Sequence, residues 1–349
     1  MNYYKEREIN NTLKIKELLT ELPQFCSEFF IGIEQNTTTL TRLNYAHDLK
    51  IFFEFLKSEI LGFKNIVITD LSVDFLNKIT ITHIEQFLSY LSLYSTNGKQ
   101  VTNNEYGKSR KLSAIRNLFK YFYNKEKIPN NITNKIKNPK LRKKEIVRLT
   151  NEETLSLLDV VESGYGLTKK EYSFAIKTKN RDIAIFTLLL YTGIRISECV
   201  GLNIHDIDLE KKQFKVIRKG GNEQILYFND KVKETLDVYI NTEREDMIKD
   251  LDTEKIPDAL FVSLKQNRLS ARAIQSIVKK YSEIAVPLLN ISPHKFRSTF
   301  GTNLYNASND IYLVADVLGH KDVNTTVKHY VTTNEKRRKI ASEMVDYDK

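Results

Sequence analysis

The stretch RDIAIFTLLLYTGIRISE, residues 181–198, decides the fold of the second half of the chain. Its first part is apolar on almost every side of a helix, which is typical of a helix at the centre of a domain. Gly193 stands where this helix should end, because glycine adopts the left-handed conformation of a helix C-terminus without strain. The stretch therefore predicts a helical domain built around residues 181–192.

Arg195 follows this apolar helix directly, and Glu198 comes three residues later. A cation beside such an apolar segment is costly unless it is paired, and Glu198 is an available partner. A surface arginine in a loop remains the alternative.

The apolar pattern changes from helical to strand-like spacing in KQFKVIRKGGNEQILYF, residues 212–228. Segments rich in β-formers flank Gly220-Gly221, which predicts a hairpin with Lys219 at its tip. A lysine there is either a solvated side chain or a catalytic one. Upstream, LTNEETLSLLDVV predicts a helix capped by Thr150 or Asn151, and helical patterns return from Ala271 onward. Residues 150–349 are thus predicted to form a helical domain with a small antiparallel sheet.

The segment SPHKFRSTFGTNLY, residues 292–305, has the features of a helix start. Ser292 is placed to cap the helix, and Pro293 suits its first position. His294 and Arg297 are three residues apart, so they should share one face of the first turn. The N-terminus of a helix attracts anions, so the pair indicates either an anion site or a structural histidine.

The segment VADVLGHKDVNTTVKHY, residues 314–330, predicts a helix that ends at Gly319. His320 should project from the turn after that helix. Tyr330 lies ten residues beyond His320, on what is predicted to be another short helix.

Residues 1–134 are predicted to form a separate, small helical domain. Apolar residues recur at mixed three- and four-residue spacing in residues 39–56, 81–94 and 109–126. Residues 95–109, rich in Gly and Asn, are predicted to be a polar loop. We expect an aromatic stripe to lie in the core of this domain: Phe52, Phe53, Phe55, Phe119, Tyr121 and Phe122.

The chain carries 54 Lys and Arg against 44 Asp and Glu, a formal charge of +10. This excess favours a polyanionic partner, although a compositional bias toward Lys is the alternative. Six of the ten residues in KIKNPKLRKK, 135–144, are basic, and KRRK at 336–339 is a second cluster. Residues 135–149 are therefore predicted to be a basic linker that contacts nucleic acid through four side chains, namely Lys140, Arg142, Lys143 and Lys144.

Two cysteines far apart in sequence, Cys26 and Cys199, form neither a metal-ligand spacing nor a disulfide framework. No metal and no cofactor are expected. The sequence has no apolar run long enough to span a membrane and no signal-peptide pattern at the N-terminus. A cytoplasmic protein without a membrane partner is expected.

Five features together resemble the tyrosine recombinase (phage integrase) family: T-G-x-R-x-S-E around Arg195, Lys219 in a hairpin, H-x-x-R at 294–297, L-G-H at 318–320, and Tyr330 after it. Each motif alone is weak, but their order and spacing are highly specific. The helical first domain resembles the SAM-like core-binding domain of the family. The length and two-domain plan are similar to those of Xer-type recombinases and mobile-element integrases.

The resemblance implies a role for each of these residues in metal-independent DNA cleavage. Arg195, Arg297 and His320 would hold the scissile phosphate, since guanidinium groups bind phosphate bidentately. Tyr330 would attack phosphorus as the nucleophile. The remaining roles fall to His294 as general base, Lys219 as general acid, and Glu198 as the residue that orients Arg195 or a neighbour.

The resemblance also implies a partner and an assembly: double-stranded DNA with a specific site, exchanged between two sites by a homotetramer. Neither ATP nor Mg²⁺ is then needed. Two alternatives are a type IB topoisomerase, which relaxes DNA without pairing two sites, and a non-enzymatic DNA-binding relative. The sequence does not separate chromosome-dimer resolution from integration and excision of a mobile element.

Overall fold

The computed structural model describes residues 3–96, 98–141, 147–218, 220–252, 257–320 and 322–330, with backbone only at 325 and 328–330. The chain divides into two compact units, Met1–Lys144 and Glu145–Lys349. The division falls within the basic segment 135–149. Each unit is described by itself.

The first unit is mainly helical, as the sequence predicts. Its helices are α1 (Tyr3–Leu19), α2 (Phe25–Gly32), α3 (Thr39–Glu59), α4 (Ile81–Tyr90) and α5 (Glu105–Asn124), and its two strands are β1 (Tyr94–Thr96) and β2 (Lys99–Val101). Short 3₁₀ turns cover Glu34–Asn36, Leu61–Phe63, Ile68–Asp70, Val73–Lys78 and Ile132–Lys135.

The predicted aromatic core of this unit is confirmed. Five of the six side chains are buried, and Tyr121 packs against them from a partly buried position. Phe52 and Phe87 meet edge-on with ring centroids 5.1 Å apart, which joins α3 to α4. Such edge-to-face contacts add to the free energy that burial of the rings supplies.

The prediction of a polar loop over residues 95–109 is wrong in two respects. Strands β1 and β2 form an antiparallel hairpin in which Ser95 faces Gln100. Helix α5 begins within the same stretch, because the Asn104 side chain accepts a hydrogen bond from the backbone N–H of Gly107. Polar composition hid both elements, although the Asn-Gly pair at 97–98 is a typical hairpin turn and Asn104 is a typical helix cap.

The second unit is a helical domain with one small sheet. Its helices are α6 (Asn151–Ser163), α7 (Lys169–Ala175), α8 (Lys179–Thr192), α9 (Ile196–Gly201), α10 (Asp230–Tyr239), α11 (Glu245–Ile248), α12 (Ala271–Ala285), α13 (Pro293–Ser308), α14 (Ile311–Leu318) and α15 (Val323–Tyr330). A 3₁₀ turn covers Ile204–Asp206, and a π-helical turn covers Ile240–Arg244.

Helix α8 lies at the centre of this unit, as its apolar sequence predicts. Its neighbours are α6, α10 and α13, and ten of its 14 residues are buried. Gly193 ends the helix in the left-handed conformation with φ +62°. Thr150, one of the two predicted caps of α6, accepts a hydrogen bond through its side chain from the backbone N–H of Glu153. The Glu153 carboxylate in turn accepts one from the backbone N–H of Thr150.

The sheet of this unit has three antiparallel strands in chain order: β3 (Ile207–Asp208), β4 (Gln213–Ile217) and β5 (Glu223–Tyr227). In the β4–β5 hairpin Phe214 faces Leu226, and Ile217 faces Glu223. Alternate residues of β4 are buried, so one face of the strand packs on the helices. The predicted fold class, mainly α with a small antiparallel sheet in the second unit, is confirmed.

None of the helices in the described part of the chain combines the length and the apolar character that crossing a membrane requires.

Candidate active site

Arg195 and Glu198 form a closely bonded pair at the start of α9. The Arg195 side chain donates from Nη1 to Glu198 Oε1 at 2.8 Å, and the Arg195 backbone N–H donates to Oε2 at 2.8 Å. Glu198 is buried, with 3% of its side chain exposed, while 32% of the Arg195 side chain is exposed. The predicted partnership is confirmed, and it leaves the guanidinium accessible from solvent.

Arg297 projects from α13 into the unit and is only 3% exposed. Its Nη1 donates to the Gly193 carbonyl at 2.7 Å, and its Nη2 donates to the Leu318 carbonyl. The same glycine that ends the central helix thus presents an acceptor to Arg297. This arginine ties the ends of α8 and α14 together.

Three consecutive carbonyls at the C-terminal end of α14 each accept from a different arginine. Arg218 donates to Val317 at 2.8 Å, Arg297 to Leu318, and Arg195 to Gly319 at 3.3 Å. The last carbonyls of a helix lack intrahelical partners and carry partial negative charge, so guanidinium groups satisfy them well. The end of α14 therefore gathers three cations around one turn.

The turn after α14 also fixes His320. Gly319 adopts φ +63° there, and the His320 N–H donates to the Ala315 carbonyl at 2.9 Å. The His320 ring Nδ1 lies 2.7 Å from the hydroxyl of Thr326, which is fully buried on α15. Tyr330 is the last described residue of α15. One hydrogen bond thus joins the L-G-H turn to the helix that carries the predicted nucleophile.

His294 lies at the start of α13, one turn from Arg297, and is exposed. The two residues therefore lie on the same helical turn, but His294 is exposed to solvent whereas Arg297 is buried. The expected side-chain cap by Ser292 is wrong: Ser292 occupies the cap position without a side-chain hydrogen bond. Its backbone carbonyl accepts from the Lys295 N–H at 2.7 Å instead, while Pro293 stands at the first position as predicted.

Several predicted residues fall outside the described part of the chain. They are Lys219, Arg142, Lys143 and Lys144, and Tyr330 is described by its backbone only. Lys140 is described, is exposed, and belongs to the first unit. In the described ranges no group of three or more His, Cys, Asp or Glu side chains is arranged to hold a metal ion.

Two residues of this site, Arg218 and Thr326, were not predicted from the sequence. Arg218 continues the buried face of β4 after Phe214 and Val216, so the two-residue period of the strand places an arginine on an inward position. That period is a usable signal. Thr326 gives no comparable signal, because its bond to His320 depends on how α15 returns to the turn.

The apolar sequence neighbours of Tyr305 and Tyr312 predict a packing role for both; this prediction is confirmed for Tyr305 and wrong for Tyr312. Tyr305 is 2% exposed and belongs to a small cluster with Val314 and Leu318. Tyr312, in the first turn of α14, is 71% exposed. Apolar neighbours in sequence do not fix which face of a short helix is covered.

Gly193 is expected to tolerate no side chain, because it combines a left-handed backbone with close packing. A Cβ atom there would lie 2.4 Å from Phe300 Cδ1. We expect Gly193→Ala to lower the free energy of unfolding by about 1–3 kcal/mol, measured from the urea midpoint. Gly221→Ala is the matched control, since Gly221 has φ +88° and open space around its Cβ position. Equal losses of stability for both variants would contradict the packing argument.

The Phage integrase family model matches residues 147–337. Tyrosine recombinase XerC of Caldanaerobacter subterraneus subsp. tengcongensis is 31% identical over 330 residues, covering 90% of this chain and 86% of the relative. Tyrosine recombinase XerS of Streptococcus thermophilus is 29% identical over 352 residues, covering 93% of this chain and 96% of the relative.

Solved structures show the same fold. The post-cleavage complex of the XerH site-specific recombinase with palindromic difH substrate has a TM-score of 0.66 at 22% identity, covering 95% of this chain and 88% of that one. A lambda integrase tetramer bound to a Holliday junction has a TM-score of 0.59 at 16% identity, covering 93% of this chain and 79% of that one.

The helical fold, the gathered arginines and these matches define a class, that of the DNA strand-exchange enzymes. Within that class, the chain belongs to the phage integrase family of tyrosine recombinases.

Proposed function

We propose that the protein cleaves and rejoins DNA at a specific site through a 3′-phosphotyrosyl intermediate, with Tyr330 as the nucleophile. The observation that carries the proposal is the gathering of Arg195 and Arg297 at the turn after α14. His320 belongs to the same turn, and its hydrogen bond to Thr326 joins that turn to α15, the helix that includes Tyr330.

Arg195, Arg297 and His320 would bind the nonbridging oxygens of the scissile phosphate. Phosphoryl transfer depends mainly on positioning and on stabilisation of negative charge. A guanidinium has five donors in one plane, so carbonyls and a carboxylate can fix its orientation while it also binds a phosphate. Cations that are fixed before the reaction require no reorganisation as charge develops. Glu198 supports Arg195 in this role.

The proton transfers would involve His294 and Lys219. The Tyr330 hydroxyl gives its proton to His294, and the phenolate oxygen bonds to phosphorus. The bond from phosphorus to the 5′-oxygen breaks, and that oxygen takes a proton from Lys219. The phosphodiester becomes a phosphotyrosyl ester of similar energy, so attack by another 5′-hydroxyl can reverse the step.

The proposed partner is double-stranded DNA, with four protomers acting on two sites in the cytoplasm. The excess of basic residues supports a DNA partner. The fold is that of a lambda integrase solved as a tetramer on a Holliday junction, which supports the assembly. XerC and XerS match over about nine-tenths of this chain, so we propose resolution of chromosome dimers as the cellular role.

The test is strand exchange between two DNA sites. The site is found by sequencing the DNA that the protein binds in cells, and two copies are placed on one plasmid in direct repeat. We expect two smaller circles when the protein acts in EDTA without ATP, and 5′-hydroxyl ends in trapped cleavage products. Relaxation of supercoils without exchange would indicate a topoisomerase. Binding without cleavage would indicate a non-enzymatic relative, and bound sites at the ends of a mobile element would replace the proposed cellular role.

We propose further that the basic linker binds DNA phosphates. Replacing Lys140, Arg142, Lys143 and Lys144 by Gln should weaken DNA binding, because a protein that neutralises fewer phosphates releases fewer counterions. The slope of log K against log salt should fall by about 0.9 for each phosphate that is no longer neutralised, measured by fluorescence anisotropy.

The matched control removes four positive charges that already have acidic partners in the second unit. These are Lys211, Lys212, Lys249 and Lys279, paired with Asp208, Asp230, Asp246 and Glu283. This control has the same net charge as the linker variant and should change the slope little. Equal slopes for both variants would show that the linker is a solvated connector.

A further inference from the structure

Arg218, the residue after β4, is held by side chains and backbone from three parts of the second unit. Its Nε donates to Gln224 Oε1 at 2.8 Å, its Nη1 to Glu198 Oε2 at 2.9 Å, and its Nη2 to the Val317 carbonyl at 2.8 Å. Arg218 is 8% exposed. All three nitrogens of this guanidinium are thus directed at the protein, which differs from the accessible guanidinium of Arg195.

The two oxygens of Glu198 are divided between two arginines. Oε1 accepts from the Arg195 side chain, while Oε2 accepts from the Arg195 backbone and from Arg218. A buried carboxylate that loses one of two cationic partners is left with uncompensated charge. It can also turn about its last torsion, which is broad for a carboxylate. Removal of Arg218 should therefore disturb the hydrogen bond that orients Arg195.

Backbone packing shows how closely this arrangement is built. A Cβ atom on Gly319 would lie 2.9 Å from Arg218 Nε, so the glycine of the L-G-H turn leaves the space that the guanidinium occupies. Gln224 belongs to β5 and faces Val216 of β4. Arg218 consequently joins the β4–β5 hairpin to α9 and to the end of α14.

We propose that Arg218 is a positioning residue for the cleavage reaction. It fixes Glu198, and through Glu198 it fixes the guanidinium of Arg195 toward the phosphate. The inference rests on the proposed role of Arg195, and the experiment is chosen so that the two can fail separately.

The experiment compares single-turnover cleavage of two nicked substrates, one with the natural scissile phosphate and one with a methylphosphonate in its place. The methylphosphonate lacks one negatively charged oxygen, so its cleavage depends less on a correctly placed cation. Arg218→Gln should slow cleavage of the phosphate about 10- to 100-fold, which corresponds to the loss of one charge-assisted hydrogen bond. It should slow cleavage of the methylphosphonate much less, and DNA affinity should be unchanged.

Four further variants complete the design. Gln224→Ala removes one hydrogen-bond acceptor of Arg218. It should also slow cleavage of the phosphate more than cleavage of the methylphosphonate, but by a smaller factor than Arg218→Gln. Lys215→Gln removes an exposed cation of β4 that pairs with Glu223, and should cleave both substrates as the parent does. Arg195→Ala alone and combined with Arg218→Gln form a double-mutant cycle, in which the second change should add little to the first.

The possible outcomes separate the two proposals. If Arg195→Ala slows both substrates equally, the proposed role of Arg195 fails, and the role of Arg218 fails with it. If Arg195→Ala is selective but Arg218→Gln and Gln224→Ala slow both substrates equally, only the inference about Arg218 fails. If the rate reduction of the double variant equals the product of the two single reductions, Arg218 acts independently of Arg195, and the inference about Arg218 also fails.

Discussion

Removal of one oxygen atom, in Tyr330→Phe, is expected to abolish the covalent protein–DNA adduct completely. Phenylalanine has no atom that can bond to phosphorus, whereas binding to the DNA site draws on many contacts. The adduct is measured on a nicked suicide substrate by denaturing gel electrophoresis, and site-specific binding is measured by gel shift. Loss of binding together with the adduct would show that the substitution acts through the fold.

Tyr312→Phe is the matched control for this prediction. The chain has 18 tyrosines, and Tyr312 is well exposed one helix before α15. Exposure alone therefore does not identify the nucleophile. We expect Tyr312→Phe to form the adduct at the parental rate, and its failure to do so would place Tyr312 in the reaction instead.

The second large effect is expected for Lys219→Ala, which should slow cleavage by about 10² to 10⁴ while DNA affinity stays nearly intact. Without a general acid the 5′-oxygen leaves as an alkoxide, which is a poor leaving group. A substrate with sulfur at the 5′-bridging position leaves as a thiolate and needs no proton. Cleavage of that substrate by Lys219→Ala should therefore be restored, measured by single-turnover kinetics.

Two nearby lysines serve as controls for this role. Lys211 and Lys212 lie just before β4 and form ion pairs with Asp208 and Asp230 at 3.4 and 2.5 Å. We expect their replacement by alanine to leave cleavage of the natural substrate unchanged. If Lys219→Ala is not rescued by sulfur while Lys211→Ala or Lys212→Ala is slowed and rescued, the general acid is the other lysine.

Local physics made much of the second unit predictable from sequence. The apolar stretch of α8 leaves no face for water, and Gly193 marks its end in both sequence and structure. Thr150 caps α6 through a capping box that two residues, Thr150 and Glu153, specify. The pairing of Arg195 with Glu198 follows from their spacing on one helical turn and from the cost of an unpaired buried charge.

The convergence of three arginines on Val317, Leu318 and Gly319 could not be predicted in the same way. It depends on how α13, α14 and the β4–β5 hairpin pack together, and no local pattern specifies those long-range contacts. Arg218 was partly predictable, because the two-residue period of β4 places its side chain on the buried face but does not specify its hydrogen-bond partners. The short β1–β2 hairpin did have a local signal, the Asn-Gly pair at 97–98 between strand-forming residues, but the polar composition of the stretch obscured it.

The central claim, that Tyr330 becomes joined to DNA, is tested most directly by mapping the linked peptide. The adduct is trapped on the suicide substrate, digested with protease and nuclease, and sequenced by tandem mass spectrometry. We predict a single peptide that carries a 3′-linked nucleotide on Tyr330. A nucleotide on any other residue, Tyr312 and Tyr305 included, would contradict the assignment.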